Sequence, residues 1–252
     1  MTPYYAILLS LAAGFSTAIG GLVAFMIKKP SPRFLAVSLG FSAGVMIFVS
    51  FVELLQTGII AIGFAAACLA FFSGMLIMFV IDFMVPHEYI AERIEGNGSN
   101  KKLAKTGLLI ALGIAIHNLP EGLAVFAATV HSLPLGIALA VAIAVHNIPE
   151  GISVAIPIYA ATHDRFKAFS WSFWSGMVEP LGAIIAVLFL MPFLNQTITG
   201  AMLAVVAGIM VFISIDELLP VAHSYGEEHQ SILGFVSGMI VMALSLWLAG
   251  QI

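Results

Sequence analysis

The sequence predicts an all-α membrane protein, with eight transmembrane helices in a 3+2+3 arrangement carrying inverted repeats. Three observations lead there: an extreme apolar composition, the spacing of the apolar runs, and a sequence repeat that spans two helices. Hydrophobic residues make up 61% of the 252 positions and charged residues only 9%, and the mean hydropathy is +1.10. A soluble domain carries about 25% charged residues. A chain that satisfies its backbone inside lipid can spare almost none of its length for charge. The one cysteine, Cys68 in "FAAACLAFF", rules out a disulfide framework or a thiolate cluster within a single chain.

Crossing a bilayer takes about 20 apolar residues per helix, and Pro, Gly and charge punctuate the runs. The first helix, roughly 4–27, ends at Lys28 and Lys29; "MTPYY" lacks the basic n-region of a cleaved signal peptide, so this helix is expected to stay. The second and third, roughly 35–56 and 60–84, flank "QTGIIAIG". The fourth and fifth, roughly 105–129 and 134–160, meet at "VHSLPL". The sixth, roughly 167–192, is followed by "FLNQTITG", and the seventh and eighth cover roughly 198–220 and 230–250. Together they form one polytopic domain over residues 1–252.

Lys and Arg fix the orientation, because they concentrate in cytoplasmic loops. All 9 fall between helices 1 and 2 (Lys28, Lys29, Arg33), 3 and 4 (Arg93, Lys101, Lys102, Lys105) or 5 and 6 (Arg165, Lys167). Those loops lie on one side, so both termini are expected outside the cytoplasm. The repeat adds the internal architecture. "GVMIFVSFVELLQ" from Gly44 aligns with "GIMVFISIDELLP" from Gly208 at an offset of 164, with seven of thirteen positions identical. The same offset aligns "FFSGMLIM" from Phe71 with "FVSGMIVM" from Phe235, so helices 2 and 3 return as 7 and 8. Five helices separate the copies, and an odd number inverts the second copy in the membrane, the pattern of inverted-repeat transporters.

The central pair of helices carries the chemistry. "HNLPEG" sets His117 and Glu121 four residues apart on one helix face with Asn118 beside them; "HNIPEG" does the same with His146, Asn147 and Glu150. Pro120 and Pro149 each remove a backbone donor and bend their helices there. Helix 6 adds Glu179 in "WSGMVEPLG". Carboxylates, imidazoles and amides at membrane depth are costly unless paired, and no Lys or Arg lies between Lys105 and Arg165. A divalent cation is the simplest counter-charge: imidazole suits zinc and iron, and oxygen ligands widen the range to manganese. Protonated glutamates gluing helices together, or a proton relay, are the competing readings of the residues alone.

The paired "HNLPEG" and "HNIPEG" with "MVEP" resemble the ZIP (Zrt/Irt-like) family of divalent-metal transporters, in its compact bacterial zinc-uptake branch. The resemblance covers the whole chain. It implies a cell-membrane protein that takes up zinc, and alternatively iron, manganese, cobalt or cadmium, through a binuclear site by alternating access. The ions are cargo, with no catalytic residues and no catalytic cofactor. It implies that His117, Glu121, His146 and Glu150 hold one ion, and that Asn118, Asn147 and Glu179 hold a second, with Glu121 and Glu150 bridging. Met46 and Glu53 match entrance positions, and Asp82, His87, Asp216 and Glu217 match an exit path. Helices 1, 4, 5 and 6 are implied to move against 2, 3, 7 and 8. The implied partners are divalent metal ions, the lipid bilayer and a second copy in a homodimer, with no nucleic acid. The family's histidine-rich loop is missing from residues 88–104. The alternatives are an intramembrane metal-dependent hydrolase, which would use "HExxH" instead, and a metal-sensing membrane protein.

Overall fold

A computed structural model describes residues 3–26, 31–84 and 100–248. Its elements are helices: α1 (Pro3–Met26), α2 (Pro32–Ile62), α3 (Phe64–Met84), α4 (Asn100–His131), α5 (Leu133–Thr162), α6 (Arg165–Phe193), α7 (Gln196–Ser224) and α8 (Glu228–Leu248). Seven of them are long and apolar enough to cross a membrane, and α4 holds the first of the two polar motifs. The protein is a multi-pass helical membrane protein.

Helix ends follow local chemistry. Ser31, Ser132, Asp164 and Asn195 cap α2, α5, α6 and α7, each accepting a backbone N–H with its side chain and so satisfying a donor the helix cannot. The main departure from the sequence reading is α2, which runs on to Ile62, not to about 56. Gly58 is helical and packs on Gly200 and Ala204 of α7, and the chain turns at Gly63, whose φ of 82° only glycine adopts cheaply. α6 is two helices in line. Pro180 cannot donate to the carbonyl of Gly176, and the helix breaks at Met177, between Arg165–Gly176 and Val178–Ile185.

Burial sorts the helices into inner and outer. The most apolar windows of α2, α5 and α7 are 61%, 67% and 67% buried, those of α3 and α8 only 22% and 28%. Phe72, Leu76, Phe79, Leu233, Ile240 and Leu244 accordingly face outward, where lipid replaces water as the solvent. α2 packs on α8, α3 on α7, α1 on α5, and α4 on both α5 and α6.

The closest of these packings come in matched pairs. A Cβ on Gly44 would collide with the carbonyl of Phe235, and one on Gly208 with the carbonyl of Phe71. Gly74 meets Val205 as Gly238 meets Phe41. Each pair is related by the sequence offset of 164. The π-turns Ser50–Leu54 and Ser214–Leu218 obey the same offset. A second set relates α1 to α6 and α4 to α5. Gly122 abuts the carbonyl of Glu179 as Gly151 abuts that of Thr17, and Gly182 meets Leu119 as Gly20 meets Ile148. No side chain fits at these crossings, so backbones touch and dispersion between them replaces the hydrophobic effect that lipid cannot supply.

Candidate metal centre

The two polar motifs lie in the middle of α4 and α5, and α6 brings Glu179 to them. His117, Asn118, Glu121, His146, Asn147, Glu150 and Glu179 are all at most 3% exposed. The two asparagines are held in the same way. Asn118 donates from Nδ2 to the carbonyl of Ser175 at 2.8 Å, just before the break in α6, and Asn147 donates to the carbonyl of Ala13 on α1 at 3.2 Å. With the nitrogen committed to a carbonyl, each amide oxygen is turned the other way. Asn147 also donates to Glu179 Oε2 at 2.8 Å, and Glu179 sits in the first turn of Val178–Ile185, where the helix dipole favours a carboxylate.

Between the motifs, His146 Nε2 lies 3.0 Å from Glu121 Oε1. Glu121, His146 and Glu150 each offer a ligand atom within 4.8 Å of the others. His117 turns elsewhere: its Nε2 is 3.1 Å from Glu217 Oε2 on α7. Ser42 of α2 donates to the carbonyl of His146 at 2.7 Å, tying the α5 motif to a neighbouring helix.

The arrangement is rich in acceptors and poor in donors. Glu121 Oε2, Glu150 Oε2, Glu179 Oε1, Asn118 Oδ1 and Asn147 Oδ1 are buried without a hydrogen-bond partner. Buried polar atoms are nearly always paired, and leaving one carboxylate or carbonyl oxygen unmet costs about 1–3 kcal/mol or more. Five such acceptors, with no Lys or Arg on these stretches of α4 and α5, suit a bound cation. Imidazole with carboxylate and amide oxygen is a donor set for a divalent transition metal.

The remaining candidates sit around this centre. Met46 is fully buried, and Glu53 is 8% exposed, with Thr57 one turn along the same helix. Asp82 is half-buried near the end of α3, and Asp216 and Glu217 lie in the π-turn of α7. His87 lies outside the described residues. Sequence reasoning missed Ser42 and the carbonyls of Ala13 and Ser175. Backbone atoms leave no residue-type signal, and a lone serine in an apolar helix leaves only a weak one.

Membrane-spanning helices that bury such an acceptor cluster midway along their length have the makings of an intramembrane cation site. Comparison with known proteins narrows it. The sequence profile of the ZIP zinc transporter family matches residues 84–246. The chain is 50% identical over 260 residues to "Zinc transporter ZupT" of Oceanobacillus iheyensis, covering 96% of this chain and 97% of that protein. It is 52% identical to the protein of that name from Chlorobium phaeovibrioides, covering 97% and 98%, and 48% identical to that from Streptococcus mutans, covering 97% of each. The chain belongs to the ZIP family.

Proposed function

We propose that this protein carries zinc, and with it iron, manganese, cobalt or cadmium, into the cytoplasm by alternating access through a binuclear intramembrane site. The array of unpartnered buried oxygens on α4, α5 and α6 carries the reading, because acceptors without donors call for a positive ion. The name zinc transporter, borne by relatives about half identical in sequence, supports the choice of ion. Glu121, His146 and Glu150 hold the first ion, joined by His117 when it leaves Glu217. Asn118, Asn147 and Glu179 hold the second, with Glu121 and Glu150 shared. Such ligands bind firmly enough to capture and weakly enough to release. The protein moves its metal and performs no bond-breaking chemistry on it.

The moving parts follow from where backbones touch. The glycine contacts join α1 to α5 and α6, and α4 to α5 and α6; another set joins α2 to α7 and α8, and α3 to α7. Helices α1, α4, α5 and α6 then move as one body against α2, α3, α7 and α8. The matched contacts support a 3+2+3 inverted repeat in one domain, and the charge bias supports both termini outside the cytoplasm in a cell membrane. Sealed proteoliposomes test the function. Purified protein should accumulate zinc saturably, and Glu121→Ala should abolish this at equal protein content. Zinc binding without flux would refute transport in favour of sensing or intramembrane hydrolysis.

A further inference from the structure

Thr17 lies on α1 with none of its surface exposed, and its hydroxyl has no hydrogen-bond partner among the described residues. A threonine inside a helix commonly donates to the carbonyl four residues back, as Thr129 and Thr162 do at 2.6 and 2.7 Å. Thr17 does not. The carbonyl four residues before it, that of Ala13, already accepts from Ser16 Oγ at 2.6 Å and from Asn147 Nδ2 at 3.2 Å. Buried hydroxyls are nearly always satisfied, so this one points to a partner from outside the chain. Ser10 and Ser50 also carry unpartnered hydroxyls, but the internal symmetry singles out Thr17.

Matched crossings relate α1 to α6 and α4 to α5. Gly151 meets the carbonyl of Thr17 as Gly122 meets that of Glu179, and Asn147 donates to the carbonyl of Ala13 as Asn118 donates to that of Ser175. Gly14 and Gly176 cross each other reciprocally, each against the other's carbonyl. In this register Thr17 takes on α1 the place that Glu179 takes on α6. The side chains agree: a Cβ on Gly14 would lie beside Glu179 Cβ, and one on Gly176 beside Thr17 Cβ and Oγ1. Glu179 reaches Asn147 at 2.8 Å. The same register turns Thr17 toward Asn118, whose Oδ1 is likewise without a partner.

We propose that the Thr17 hydroxyl is a further ligand of the transported metal at the second position, giving an oxygen lone pair to the ion across from Glu179. The second position then carries oxygen alone, from Asn118, Asn147, Glu179, the shared Glu121 and Glu150, and Thr17, whereas the first includes imidazole. Oxygen ligands suit manganese and other hard cations, and imidazole suits zinc. Because the hydroxyl is neutral where its counterpart is a carboxylate, Thr17 adds a ligand without adding charge, which favours an ion that is held and yet released. The inference rests on the two-ion reading above, and its test is chosen to fail separately from it.

Purified protein in lipid nanodiscs is given one equivalent of zinc and titrated with manganese(II), whose free ion is counted by its electron paramagnetic resonance signal. Thr17→Val keeps the shape of the side chain, replaces the hydroxyl by a methyl group and leaves no room for water. It should weaken manganese binding about ten-fold and leave zinc affinity within about two-fold. Thr17→Ser keeps the hydroxyl and should bind manganese within about two-fold of the wild type. Thr17→Ala opens a space that water can fill, and should fall between the two. A packing role gives another order, with valine nearest the wild type and alanine furthest; that order would overturn the proposal. Equal affinity in all four proteins, or a serine variant as weak as the valine one, would overturn it too. A wild type that binds no manganese beside zinc would remove the second position and this ligand with it, while zinc flux into proteoliposomes would still decide transport.

Discussion

Asn118 and Asn147 show how a single residue type is put to use at membrane depth. An asparagine has two donors and an acceptor; here a backbone carbonyl takes the nitrogen, and the oxygen is left without a hydrogen-bond partner. The glutamates divide in a related way. Glu121 and Glu150 stand with His146 in the three-ligand cluster, whereas Glu179 is anchored to Asn147 on the other side. Glu121→Ala or Glu150→Ala removes ligand and counter-charge together and should abolish uptake. On the proposed two-ion reading Glu179→Ala removes a ligand of the second ion alone, so flux should persist with an altered preference between zinc and manganese. Uptake of both ions, normalised to membrane protein, decides this, and a dead Glu179→Ala would show that the second ion is obligatory. The histidines should separate too. His146→Ala loses an imidazole of the cluster and should weaken zinc binding on the order of 100-fold, more than it weakens manganese binding, since imidazole favours zinc. His117→Ala leaves the cluster intact and should weaken zinc binding less, measured by zinc titration of the purified variants.

At the scale of elements, glycines set the distances between helices and prolines set the bends. Gly44 and Gly208 occupy matched crossings where a methyl group would strike a carbonyl oxygen. Gly44→Ala and Gly208→Ala should therefore each cost about 1–3 kcal/mol and lower the unfolding temperature in detergent by similar amounts; a large inequality between them would contradict the equivalence of the two copies. Much of this was legible beforehand. The offset of 164 aligns the same glycines that meet in the structure, because close helix crossings demand small residues and therefore leave a mark in sequence. The end of α2 was not legible. Gly58 and Gly63 read alike in "QTGIIAIG", and only packing reveals that one touches α7 while the other turns the chain. The direction taken by His117 was hidden for another reason. Spacing of four residues places His117 and Glu121 on one face of α4, but a histidine on that face has two carboxylate neighbours to choose between, and the choice depends on how α7 lies against α4.

For the whole molecule, the proposed direction of transport depends on how the helices are oriented across the membrane. The 9 Lys and Arg residues all lie in or beside the connections 1–2, 3–4 and 5–6, and the positive-inside tendency predicts that those connections face the cytoplasm. On that orientation α7 would enter from the opposite side, its C-terminal π-turn with Asp216 and Glu217 would lie in the cytoplasmic half, and Glu53 of α2 would lie in the outer half. This orientation is testable at exposed positions on the helix ends. In a Cys68→Ala background, His131→Cys and Gln196→Cys should react with an impermeant maleimide added to intact cells, and Arg165→Cys and His229→Cys should react only after permeabilisation. The reverse pattern would turn the molecule over and make the same site, with the same ligands, one that releases metal outward. Charge bias and site chemistry are independent in the sequence, so labelling that agrees with the bias would tie the direction of flux to the cytoplasmic loops and not to the metal ligands, which the inverted repeat makes nearly the same from either side.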